Sequence, residues 1–150
     1  MKPSVLRLLT PVLLLLGSRT VGAQAITLSS GSAGTLTINA TIPGLDPTGV
    51  NSSSTTYNVT TPNPPGTYRI TARINQVMPA GTTLSLAMAA PTGASSLGAV
   101  ALTTTAQDIV VNLPRKTNAT LLTITYSFTA TAAAGVIAST PRTITLFIGP

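Results

Sequence analysis

Asp46 and Asp108 are the only two acids in a chain of 150 residues, and there is no His, Cys or Trp. That inventory decides most of the possible chemistry. A Ser-His-Asp triad, a thiol nucleophile and an ordinary zinc site all need residue types that the chain lacks. Two carboxylates could hydrolyse a glycosidic bond if the fold held them about 5–10 Å apart. Asp46, however, stands in Leu45-Asp46-Pro47-Thr48-Gly49, a turn sequence in which Asp caps its own backbone, and Asp108 opens a strand. Both read as structural acids, so no catalytic residue is assigned and the chain is not expected to be an enzyme. Asp46, Asn51 and the adjoining serines offer calcium too few carboxylates, so no metal or cofactor is expected.

The bases are more informative. Arg69 and Arg73 fall four residues apart on one face of an alternating segment. They form the candidate ligand or partner face: a clamp for an anion or a glycan, or a solvated face that blunts strand pairing. Arg115-Lys116 follows Pro114 and reads as a charged turn. The formal net charge is +6, but Lys2, Arg7 and Arg19 belong to the leader described next. Arg69, Arg73, Arg115, Lys116 and Arg142 remain against the two acids. Five scattered bases do not make the phosphate-binding stripe that nucleic acid requires.

The chain opens as a secretory signal peptide. Lys2 and Arg7 supply the basic region, Leu8 to Leu16 the apolar region, and Ala23-Gln24-Ala25 the small-residue cleavage pattern. Val21-Gly22-Ala23 is a second possible site, so the mature chain starts at Gln24 or at Ile26. The apolar run is about ten residues, half of what a membrane-spanning helix needs, and Pro11 interrupts it. Residues 1–25 are therefore read as a cleaved signal peptide and 26–150 as one domain, secreted or periplasmic, with no stable membrane insertion.

Strand signals then recur every ten to fifteen residues, divided by Gly, Pro, Asn and Ser. Threonine is the commonest residue, and Glu is absent. Tyr68–Ile74 alternates cleanly, with Tyr68, Ile70, Ala72 and Ile74 inward and Arg69, Thr71 and Arg73 outward. Thr83–Ala89, Leu122–Ala130 and Thr143–Ile148 alternate in the same way. Weaker strands are expected at Ile26–Ser30, Thr35–Thr41, Thr55–Thr60, Gly98–Leu102 and Gln107–Leu113. Thr131–Ala134 reads as a strand end rather than a helix. The fold class is all-β, a single antiparallel β-sandwich (Ig-like or fimbrial-like) of about eight short strands after an N-terminal signal helix. The loops Pro43–Ser54 and Thr61–Gly66 would carry the chain between sheets. Aromatics are too few for the girdles of a membrane barrel. Four Asn-x-Ser/Thr sequons, at Asn39, Asn51, Asn58 and Asn118, are expected by chance in so threonine-rich a chain.

The segment from Thr123 through Tyr126, Phe128 and the Ala132-Ala133-Ala134-Gly135 turn to Ile148 resembles the final hairpin of small exported bacterial β-sandwich proteins. It is similar to fimbrial subunits and spore-coat-U-like secreted proteins. The resemblance covers about 26 residues and departs from those subunits in lacking Cys for a disulfide. It implies an edge-exposed sandwich that joins partners by strand addition. The expectation is a non-catalytic structural or interaction protein of the bacterial envelope or cell surface. It would act through sheet edges and Thr-rich strand faces, by self-association or with other envelope proteins. The alternative is a monomeric secreted module that binds carbohydrate or another small ligand. Phe147, the one aromatic expected on an outer face, is little for stacking a sugar.

Overall fold

The computed structural model describes residues 24–38, 44–63 and 66–150. The expected signal helix, and Ala23 of the cleavage pattern, lie outside the described residues. Nine strands follow: β1 (Ala25–Ser30), β2 (Val50–Thr60), β3 (Tyr68–Ile74), β4 (Thr82–Met88), β5 (Ser95–Ser96), β6 (Val100–Ala101), β7 (Gln107–Leu113), β8 (Asn118–Ala130) and β9 (Ile144–Gly149). They form two antiparallel sheets, ordered β1-β2-β8-β4-β6 and β5-β7-β3-β9. From β3 onward every strand lies in the sheet opposite to its predecessor, so only β1 and β2 are paired sequence neighbours.

Alternation produces the core. Tyr57 and Val59 of β2, Ile70, Ala72 and Ile74 of β3, and Leu84, Leu86 and Met88 of β4 all point inward and are buried. Ile109, Val110 and Leu113 of β7 and Ile124 and Tyr126 of β8 join them in one cluster shared by both sheets. Burying each large aliphatic side chain contributes about 1.5–3 kcal/mol. Ile109 and Val110 are consecutive yet both buried, which strict alternation forbids. A β-bulge explains it: Ile70 pairs with Val110 but Thr71 pairs with Asp108, leaving Ile109 without a partner. A second irregularity follows at Asn112, whose φ of 55° is positive.

Several expectations need correction. Residues 35–38 of the expected strand Thr35–Thr41 form no strand, and the rest of that segment is outside the described residues. The expected loop Pro43–Ser54 is shorter, because Val50–Ser54 extends β2 by pairing with β8. That loop does not cross between sheets, since it joins the paired strands β1 and β2. Gly98–Leu102 contracts to the two residues of β6, and β5 was not anticipated. Ala132–Ala134 is one 3-10 turn after the end of β8. The expected final hairpin is divided: β8 pairs with β2 and β4, while β9 pairs with β3 in the other sheet.

Candidate functional site

Arg69 and Arg73 stand where the alternation of β3 places them, on the outer face of the four-stranded sheet. They do not guard an edge, because β3 is interior, flanked by β7 and β9. This corrects one reading of that face: an inner strand has no free backbone to protect. Paired residues in an antiparallel ladder share a face. Thr71 pairs with Phe147 on β9 and with Asp108 on β7, so an aromatic ring and a carboxylate flank it. The bulge at Ile109 is what turns Asp108 outward beside the arginines. Arg69 Nη1 lies 3.8 Å from Asp108 Oδ2, with both side chains about half exposed. The Arg73 guanidinium lies over the Phe147 ring, 5.1 Å from its centroid, a cation–π contact. A hollow of about 530 Å³ opens on this face, lined by Arg69, Thr71, Gln107, Asp108, Phe147 and Gly149 among others. Sequence reasoning found the two arginines and the outward Phe147. It could not find Asp108 as their neighbour, because that contact depends on a bulge and on the distant pairing of Thr71 with Asp108.

The two acids have separate tasks. Asp46 Oδ1 accepts a hydrogen bond from the backbone N–H of Ala132 at 2.8 Å. It therefore caps the 3-10 turn after β8, where a cap on its own turn was expected. Asp108 belongs to the outer face of the other sheet. Among the described residues there is no group of three or more side chains suited to hold a metal ion. Among the same residues no helix is long and apolar enough to cross a membrane.

The sheet edges differ from one another. One end of each sheet is a strand of two residues, β6 and β5. The other ends are β1 and β9, six residues each, with no charged residue in either. These two strands lie next to each other. Gln24, just before β1, bridges them by donating from Nε2 to the Ile148 carbonyl at 3.0 Å. That bond also shows which way the β9 backbone points. Thr143 and Asn75, one step before the strand, exchange hydrogen bonds. Pairing alternates along an antiparallel ladder, so Ile144, Leu146 and Ile148 direct N–H and C=O away from β3, toward the open side. Their side chains are only half-buried, although they pack against the core cluster.

Burial also shapes the phenols near the core. Tyr57 is wholly enclosed, and burial pushes its pKa up to about 12. Burial raises Tyr126 as well, tempered by the nearby Thr55 hydroxyl. Neither phenol reaches the outer face, so neither bears on binding there. No protein-family model, no curated protein and no solved structure matches the chain.

Proposed function

We propose that the chain is an exported, non-catalytic structural or interaction protein of the bacterial envelope or cell surface. In this reading the two sheets form a sandwich that receives an extended segment along the free edge of β9. The observation that carries it is the β9 edge, six uncharged residues with outward N–H and C=O groups at Ile144 and Leu146, beyond which the Ile148 carbonyl already accepts from Gln24. Edge strands of soluble proteins are ordinarily shortened, charged or covered. The β5 and β6 ends are shortened in that way, and β9 is not. An added strand would hydrogen-bond to the outward groups of Ile144 and Leu146 and cover the half-exposed flanks of these side chains. A second copy meets that need, since β9 set antiparallel to itself across a twofold axis makes a continuous eight-stranded sheet. Support for export comes from the basic and apolar leader with its Ala-x-Ala pattern.

Light scattering over a concentration series, with electron microscopy of the same samples, tests the proposal. Concentration-dependent association is expected. Leu146→Pro should weaken it, because proline removes an outward N–H without touching the β3 ladder. A chain that stays monomeric at every concentration would refute self-association.

A further inference from the structure

We propose that the hollow on the outer face of the four-stranded sheet binds a neutral glycan, between Phe147 on one side and the Arg69–Asp108 pair on the other. The hollow exists because short residues stand among long ones. Gly149 pairs with Arg69 across the β3–β9 ladder and presents no side chain, and Thr71 forms a low floor between Phe147 and Asp108. Arg73 is opposite Thr145, one step further along the ladder, and lies against the Phe147 ring. The ring is thus held from the Arg73 side, and its other flank borders the hollow.

The lining suits a sugar. One face of a pyranose presents C–H bonds of weakly positive character, which the negative face of an aromatic quadrupole attracts. Phe147 is 41% exposed, a surface that gains from such a cover. The Arg69–Asp108 separation of 3.8 Å exceeds the roughly 2.7–2.9 Å of a close charge-assisted hydrogen bond. A vicinal diol fits that loose pair: one hydroxyl donates to the Asp108 carboxylate while its neighbour accepts from the Arg69 guanidinium. Arg69 and Asp108 are the charged residues of the lining and they cancel, which favours a neutral ligand over a phosphate or a uronate. As a mere surface ion pair this arrangement would contribute little to stability. On an interior strand it has no edge to guard either.

The test is a titration of the purified protein, followed by amide NMR, with neutral gluco-, manno-, galacto- and xylo-oligosaccharides and a uronic-acid oligosaccharide as the charged counterpart. The expected result is millimolar or tighter binding of at least one neutral member, with shifts at Gln107, Asp108, Phe147, Ile148 and Gly149. Phe147→Ala and Asp108→Asn should each weaken it about tenfold, equivalent to about 1.4 kcal/mol. Thr129→Ala, on β8 of the other sheet, should leave it unchanged. Dispersed spectra of the variants report that they fold, and Asp108→Asn changes neither size nor backbone. The proposal is overturned if no neutral saccharide shifts these amides, if only the charged oligosaccharide does, or if both variants bind as the parent does.

Discussion

Tyr57 donates its hydroxyl to the Ala89 carbonyl at 2.6 Å from a fully buried position. Its phenol is held protonated to about pH 12, against an ordinary value of 10.0, because a phenolate there would be stripped of water. The unfolded chain releases that proton at lower pH than the folded one. The stabilisation is therefore complete below pH 10 and is lost as pH rises toward 12, by about 1.4 kcal/mol for each unit. Tyr126 acts in the same direction. Urea midpoints measured against pH should be flat below pH 10 and fall above it. Tyr57→Phe should flatten part of that fall, and should cost about 1 kcal/mol at neutral pH by leaving the Ala89 carbonyl without its donor. The inward direction of Tyr57 was legible from alternation with Val59. Its partner was not, since Ala89 is 32 positions away and adjacent only through folding.

Among the elements, β3 and β7 have the limits that period and punctuation predict, Tyr68–Ile74 and Gln107–Leu113. Both are interior strands of their sheet, paired on either side, and in β3 burial on one face gives strict alternation that β7 follows only up to its bulges. The two-residue strands β5 and β6 are too short to show any period. The polar stretch Val50–Ser54 is strand because β8 supplies its hydrogen bonds, not because its residues ask for it. Bulges were invisible for the same reason: they are adjustments between partners. The one in β8 offers a test. Between the pairs Tyr57↔Leu122 and Val59↔Ala119, β8 carries an extra residue, and Leu121 has φ 57°. A left-handed backbone costs a leucine about 1–2 kcal/mol. The side chain is 69% exposed, so it recovers little by packing, although Asn58 Oδ1 accepts from its N–H. Leu121→Gly should therefore raise the thermal midpoint, with a net gain of about 0.5–1 kcal/mol after the entropy cost of glycine. A lower midpoint would mean that Leu121 packs against something important.

For the whole molecule, composition alone was enough to exclude most catalytic chemistry and to indicate an all-β fold, because Thr-rich alternation with almost no Lys or Glu leaves little else. Strand order was not legible, since nothing local records which sheet a strand joins. The described start of the fold bears on processing. Ala25 pairs with Thr60 in β1, and Gln24 holds the β9 edge through the Ile148 carbonyl. Cleavage after Ala25 would discard both, and cleavage after Ala23 would keep both. Under the export proposal, N-terminal sequencing of the secreted protein should therefore read Gln24 first. The sheet-to-sheet alternation from β2 to β9 has a further consequence, in time rather than space. Past β1 and β2, no strand can zip onto the one made just before it. Each must wait for a partner from elsewhere in the chain, and non-local pairing of this kind slows folding to milliseconds or seconds. Stopped-flow refolding should show that slow regime. Under the export proposal such delay has a use, since it widens the interval in which the chain can be threaded unfolded through a membrane.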